Sequence, residues 1–407
     1  MRSWIHLQHL PPDFEPKLSA WISQRQAACL LKSNRNIFNT SDRYSSFEWC
    51  AAFDVASEIN NSTNAFDALR KFHEEKKDWL FGLLTYDLKN EIEDLESKNF
   101  DGQEFPSIHF FQPEYIFLKD EKGIHFSCHH DSKGKGNAND KLQSFLDEIN
   151  TTALPGDEIE FEGSIQQRVA KSNYIENVIE IQKHIQRGDI YEMNYCVEFF
   201  ADGSLSNPAA LYEKLNEISP MPFSCFFRSE HQYLISASPE RFIAKRGSKI
   251  ISQPIKGTAR RGNSEAEDQR IIERLKNDKK EKSENVMIVD LVRNDLSRTA
   301  KRKSVRVEEL FGIYTFRQLH QMISTVVAEM KDDIHWTEVV RCAFPMGSMT
   351  GAPKIRAMEL IEAFENNKRG LYSGTVGYVT PEGDFDFNVV IRSILYNGLK
   401  NYISFMV

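Results

Sequence analysis

An excess of basic charge, long apolar runs and any cysteine pattern are all missing from this sequence. Lys and Arg together number 51 against 59 Asp and Glu, a formal net charge of -8, so there is no basic footprint for nucleic acid and no polybasic surface for an anionic membrane. No uninterrupted apolar stretch is long enough to cross a bilayer, and the start, Met1-Arg-Ser-Trp-Ile-His-Leu-Gln-His-Leu-Pro11, has no apolar h-region. A cytoplasmic location is the expectation. The six cysteines (Cys29, Cys50, Cys128, Cys196, Cys225 and Cys342) are scattered, with no Cys-x-x-Cys pair and no zinc-ligand spacing, and read as reduced core thiols. No internal repeat or low-complexity tract points to a solenoid. What is present is an acidic chain of 407 residues, enough for one large domain or two ordinary ones.

Composition divides the chain between about residues 131 and 165. There Asp131-Ser-Lys-Gly-Lys-Gly-Asn-Ala-Asn-Asp140 and Thr151-Thr-Ala-Leu-Pro-Gly156 interrupt the apolar patterning and predict a linker or long loop. The boundary is drawn at 164, with residues 1–164 as an N-terminal region and 165–407 as the region that carries the chemistry. The first region holds strand-like stretches, Trp79 to Tyr86 and Ile108 to Phe117, without a convergent set of reactive side chains. In the second, Asn173 as N-cap and Glu176 open a helix with Ile175, Val178, Ile179, Gln182 and Ile185 on one face and Gly188 beyond its end. Ser264-x-x-Glu267 opens another, and the charged run Lys276 to Lys282 separates it from the next. Asp386 to Tyr396 is β-rich, Asn397-Gly398 signals a type I′ hairpin, and Leu399 to Val407 reads as the returning strand. With no turn or charged tail after Tyr402-Ile-Ser-Phe-Met-Val407, further C-terminal sequence is expected.

Four places could carry chemistry. Glu281, Glu284, Ile288 and Leu291 share one helical stripe, so both carboxylates face inward; either basic side chains or a cation such as Mg²⁺, which binds through few carboxylates and keeps its waters, would neutralise them. Arg392 is expected in a strand on the face of Val390 and Ile394, where a bound organic acid or a structural Asp or Glu would satisfy it. Gly347-Ser-Met-Thr-Gly-Ala-Pro-Lys354 runs into a helix with Pro353 at or near its first position, either an ordinary helix entry or an anion-friendly one. It lacks the Gly-Lys-Ser/Thr of a phosphate loop. Lys256, between Ile255 and Gly257, is a surface lysine or, if desolvated, an amine nucleophile.

Read together and in order, the segments Gly188 to Asn194, Ser238-Pro-Glu-Arg-Phe242, Pro254-Ile-Lys-Gly-Thr258, Glu281 to Asp295, Gly347 to Lys354, Arg369-Gly-Leu-Tyr-Ser-Gly374 and Asp386 to Arg392 resemble the chorismate-binding enzyme family. The resemblance covers roughly residues 165–407, and the first part is similar to the less regular N-terminal region of the family's aminodeoxychorismate and anthranilate synthase large subunits. It implies an α+β architecture, two large antiparallel β-sheets packed as a sandwich with outer helices and chorismate in a cleft between them. By the same resemblance Glu281 and Glu284 match positions that hold Mg²⁺, Arg392 and Tyr372 match residues that bind the substrate carboxylates, and Gly257, Thr258 and Ser348 line the pocket.

Lys256 points to the aminodeoxychorismate synthase component I branch, where Pro-Ile-Lys-Gly-Thr stands in place of the Pro-Ile-Ala-Gly-Thr of anthranilate synthases. Gln321, where anthranilate synthases carry a histidine, points the same way. Isochorismate and salicylate synthases have a lysine base at the position of Glu192, which disfavours water addition here. The implied reaction has Lys256 attack C2 of chorismate, Glu240 as proton donor to the departing C4 hydroxyl, and ammonia adding at C4 to give 4-amino-4-deoxychorismate, a p-aminobenzoate precursor. No cysteine has a Gly-x-Cys-x-Gly setting, so a separate glutamine amidotransferase partner is implied as the ammonia source. Three departures stand out: Glu192 in place of a glutamine, Arg260-Arg261-Gly262 in place of Pro-Arg-Gly, and the absence after Val407 of the family's Glu-x-x-Glu helix, which completes the Mg²⁺ site. Anthranilate synthase component I and a non-catalytic or truncated partner-binding subunit remain the alternatives.

Overall fold

Strands in this chain read as continuous apolar runs because both of their faces are covered. Successive residues point to opposite sides of a strand, and here they enter different cores. Phe226 and Ile235 join one cluster with Phe53, Phe117 and Tyr396, while Phe227 and Leu234 join another with Phe81, Phe110, Ile243 and Phe387. A computed structural model describes residues 2–7, 10–11, 13–35, 42–129, 137–154 and 159–407.

Among the described residues the strands form two large antiparallel layers. The first runs Ser3–Leu7, Gly123–Cys128, the later half of Ile108–Asp120, the first half of Trp49–Asn60, Ala27–Lys32, Phe223–Ser229, Gln232–Ser238, Ser393–Asn397, Tyr402–Met406 and Glu198–Asp202. The second runs from the early half of Ile108–Asp120 through Leu80–Leu84, Thr375–Val379, Phe385–Asn388, Arg241–Arg246 and Lys249–Gln253 to Leu319–Glu329 and Arg306–Thr315. Ile255–Arg260 continues beside Leu319–Glu329. The two layers share the long ribbon of Trp49–Asn60 with Ile108–Asp120, whose register slips between Val55 and Ser57 opposite Pro113. A bulge both bends a ribbon and tolerates the missing N–H of a proline.

The core between the layers is the second of these clusters, with Phe227 and Leu234 facing Phe81, Phe110, Ile243 and Phe387. The outer face of the first layer buries Phe53, Phe117 and Phe126 beneath the helices Phe14–Ile22, Ala138–Thr151 and Pro208–Ile218. Each such ring contributes roughly 1.5–3 kcal/mol of transfer free energy. This is the α+β sandwich with outer helices implied by the motifs. Strands from both sides of residue 164 interleave in it: Ala27–Lys32 pairs with Phe223–Ser229, and Leu80–Leu84 with Thr375–Val379. Five cysteines are buried, Cys342 is half-buried, and all six are free. Among the described residues no helix is long and apolar enough to cross a membrane.

Several expectations need correction. The interval between 131 and 165 is not one loop: Ala138–Thr151 is a helix, capped by Asn137 and Asp140, that packs Leu142, Phe145 and Ile149 onto the sheet. Phe161–Glu162 pairs with Ser204–Leu205, and residues 130–136 and 155–158 of this interval lie outside the described residues. The helix expected at Asn173 starts earlier, as Lys171–Arg187, and Gly188 ends it with φ +83. Its apolar face is not packed: Ile175, Ile179 and Ile185 are exposed and only Ile181 is buried. The hairpin after Asn397 has four loop residues, Gly398 to Asn401, with the Asn397 side chain accepting from the N–H groups of Leu399 and Lys400 at 3.1 Å each. That side-chain cap closes a wider turn than the two-residue type.

Candidate functional site

Two chain segments cross from one layer to the other at the same place, and the site is built there. Ser238-Pro239-Glu240 links Gln232–Ser238 of the first layer to Arg241–Arg246 of the second, and residues 389–392 return from Phe385–Asn388 to Ser393–Asn397. The crossings are tied together: Val389 N–H donates to the Glu240 carbonyl at 3.0 Å, Ala237 N–H to that of Arg392 at 3.1 Å, and the Ser238 hydroxyl to that of Val389 at 2.6 Å. Arg392 is therefore not a strand residue on the face of Val390 and Ile394, as expected from sequence. It sits in the crossing with φ +51, because a chain changing layers has to leave the pleat. Its Nη1 is buried with no hydrogen-bond partner among the described residues, and burial lowers its pKa, offset by the field of Glu240. A guanidinium remains charged under such a shift, so an anion is its natural complement.

Glu240 is buried, accepting from the Ser348 hydroxyl and the Ile255 N–H. Desolvation pushes its pKa up to about 7, against the lowering effects of those two hydrogen bonds and of Lys256 and Arg392. A carboxyl that holds its proton near neutrality can act as a general acid. Ser348 is placed by the tight turn Gly347–Met349, where Asn194 donates to its carbonyl at 2.6 Å.

Lys256 lies where the register of Ile255–Arg260 slips against Leu319–Glu329, between Ile255 and Thr258. Its ammonium is paired with Glu192, and both side chains are about 15% exposed. Glu192 is held by a short ladder, Glu192 opposite Ala352 and Met193 opposite Gly351. Gly351, with φ +150, is needed there: a Cβ would stand 2.2 Å from the Glu192 carbonyl oxygen. Gly257, φ +98, lies against Glu281, whose Oε2 would be 3.3 Å from a Cβ at 257. Thr258 is exposed and sits opposite Gln321. Tyr372 is buried against the Cys196 thiol, and burial pushes its pKa far up, which keeps the hydroxyl a donor.

The helix Lys279–Ser297 brings Glu281 against Gly257, with Glu284 one turn further on and Ile288, Val289 and Val292 buried beyond it. The buried Asn285 accepts from the Ser324 hydroxyl at 2.6 Å and fixes the helix to the sheet. Glu284 pairs with Lys280 at 3.1 Å, so a basic side chain meets one of the two carboxylates; among the described residues Glu281 has no Lys or Arg within ion-pair distance. No group of three or more His, Cys, Asp or Glu converges among the described residues. The donor set fits a hard cation that keeps waters and takes substrate oxygens, and does not fit a closed protein cage.

Arg369 and Asp295 have structural roles that their sequence segments do not reveal. Arg369 is a buried hub: it bonds both oxygens of Glu365 at 2.6 and 2.9 Å and donates to the carbonyls of Met349 and Asn194 at 2.6 and 2.8 Å. Glu365 in turn accepts from Cys196 N–H at 2.9 Å. Lys354 is committed to Asp295 at 2.7 Å and to the Ala343 carbonyl, which leaves the loop before it as an ordinary helix entry as far as its lysine is concerned. A buried acid and base four residues apart, Glu365 and Arg369, was the available signal.

Comparison with known proteins gives one answer. The profile of the chorismate binding enzyme family matches residues 21–405. The aminodeoxychorismate synthase component 1 of Bacillus subtilis is 33% identical over 325 residues, 78% of this chain and 68% of that protein. The anthranilate synthase component 1 of Aquifex aeolicus is 35% identical over 226 residues, 56% of this chain and 46% of that protein. Against several other aminodeoxychorismate synthases the chain spans half of their length or less. In fold it is similar to the crystal structure of anthranilate synthase component I from Streptococcus pneumoniae, with a TM-score of 0.78 and 24% identity, covering 90% of this chain and 87% of that one. With the family profile spanning nearly the whole chain and a sandwich whose two crossings gather an acid, a lysine and an open arginine, this protein belongs to the chorismate-binding enzymes.

Proposed function

We propose that this chain is a component I of aminodeoxychorismate synthase, which turns chorismate and ammonia into 4-amino-4-deoxychorismate in the cytoplasm, on the way to p-aminobenzoate. The observation that carries it is that Lys256 and Arg392 both act electrostatically on the buried, protonatable Glu240, while the Arg392 Nη1 has no partner among the described residues. The 33% identity to the Bacillus subtilis protein supports the same branch. Ammonia comes from a glutamine amidotransferase, in keeping with the component 1 naming of the Bacillus subtilis relative.

Arg392 takes a substrate carboxylate and, with the Tyr372 hydroxyl, fixes the ring. Lys256, once it is a free amine, forms a bond from Nζ to C2 while Glu240 gives its proton to the C4 hydroxyl, which leaves as water. Ammonia then bonds at C4 and the lysine amine is expelled. Glu281 and Glu284 would hold Mg²⁺, which when bound neutralises the ring carboxylate and polarises the adjoining double bond. Gly257, Thr258 and Ser348 form the wall past which the ring slides.

The test is product analysis with chorismate, Mg²⁺ and excess ammonia, for the chain and for K256A. Aminodeoxychorismate from the first and little from the second is the expected result. Anthranilate as the product would instead support the anthranilate synthase reading, and an undiminished rate in K256A would remove the covalent step.

A further inference from the structure

Among the described residues the Glu192 carboxylate has one partner, Lys256. Both of its carboxylate oxygens are buried, and apart from Lys256 neither meets a donor among the described residues. The ladder to Gly351-Ala352 and the bond from Tyr191 N–H to the Ala352 carbonyl at 2.7 Å hold its backbone in place. A solitary, half-buried ion pair of this kind adds little to stability, because each charge loses water in forming it. Nor does the carboxylate suit substrate binding, since it would face an incoming organic acid with charge of the same sign. Both difficulties vanish if one proton moves.

We propose that Glu192 is the catalytic base that takes the Nζ proton of Lys256 as substrate enters, turning the ion pair into a nucleophile. The assignment rests on the reaction proposed above. In it, the N–H bond of the ammonium breaks and an O–H bond forms on Glu192. The freed electron pair makes the Nζ–C2 bond, the two ring double bonds each shift one position, and the C4–O bond breaks with the hydroxyl leaving as water on the Glu240 proton. When ammonia bonds at C4 the shifts reverse. The C2–Nζ bond breaks, the amine recovers its proton from Glu192, and the new C4 ammonium returns one to Glu240. Glu192 thus clears the charge from Lys256 and its own charge from the path of the substrate in one transfer.

The experiment compares kcat and KM for chorismate in the 407-residue chain, E192Q, E192D and E192A, with ammonia in excess. Loss of a general base costs on the order of 10²- to 10⁴-fold in rate. E192Q, which keeps shape and loses the basic oxygen, is expected to lose kcat on that scale while KM for chorismate stays equal or falls. E192D is expected to recover part of the rate, and formate to restore E192A severalfold. E192Q in a K256A background is expected to cost nothing further. An E192Q enzyme within about threefold of the parent in kcat, a loss seen only in KM, or an equal loss in the K256A background would overturn the assignment. Absence of aminodeoxychorismate from the parent chain would instead overturn the reaction itself, and this assignment with it.

Discussion

Glu240 links stability, activity and pH at a single residue. Its pKa is raised from 4.5 to about 7 by burial, so between those values the folded chain holds a proton that the unfolded chain has released. The stabilising effect of that proton is fully present below 4.5 and is lost as pH rises through about 7. Relative to E240Q, which cannot ionise, the parent is expected to lose melting temperature across that interval; parallel melting curves at each pH would contradict the assignment. With Glu240 as the proposed general acid, activity should fall over the same upper range, and E240Q should be slower by about 100-fold or more in kcat. At this scale the sequence was partly readable. Lys256, Gly257 and Ser348 can be singled out in the sequence because their segments have a recognisable order, and Glu240 because it follows Ser238-Pro239. The Glu192–Lys256 pair cannot, because nothing in either segment says that residues 64 positions apart will meet.

Elements were legible where a local signal decides them. The Ser264 cap opens Glu265–Asn277, accepting from Glu267 N–H at 3.3 Å, and Asp278 separates that helix from Lys279–Ser297. They were illegible where a tertiary demand overrides the pattern. Residues 389–392 have strand composition, yet the change of layer takes them out of the pleat, and Lys171–Arg187 packs through Ile181 while Ile175, Ile179 and Ile185 of its regular apolar stripe stay exposed. Two substitutions test how the elements are fastened. G351A forces the ladder apart, from a position with φ +150 and 2.2 Å from a carbonyl oxygen. It is expected to cost about 1–3 kcal/mol in denaturant titration and to lower kcat by displacing Glu192. R369A strands the buried Glu365 and frees the carbonyls of Asn194 and Met349. An expected loss of roughly 3–5 kcal/mol follows from breaking a buried pair on one side only; a loss under about 1 kcal/mol would mean that water replaces the guanidinium without penalty.

For the whole molecule, composition suggested a boundary at 164, whereas the hydrogen-bonding partners of the strands cross it repeatedly. No sequence pattern announces such pairing, since an interleaved strand and a strand in its own domain look alike along the chain. The expectation for residues 165–407 expressed alone is a chain without cooperative unfolding, because Phe223–Ser229 and Thr375–Val379 each lose a neighbour strand. A sharp melting transition from that fragment would show that the later region folds without the earlier one. The crossings at Ser238 to Glu240 and at residues 389–392 have a further consequence for a newly made chain. Glu240 and Arg392 come into register only after both layers exist, so in the proposed reaction Lys256 would gain its acid and the anchor of its substrate as the last step of assembly.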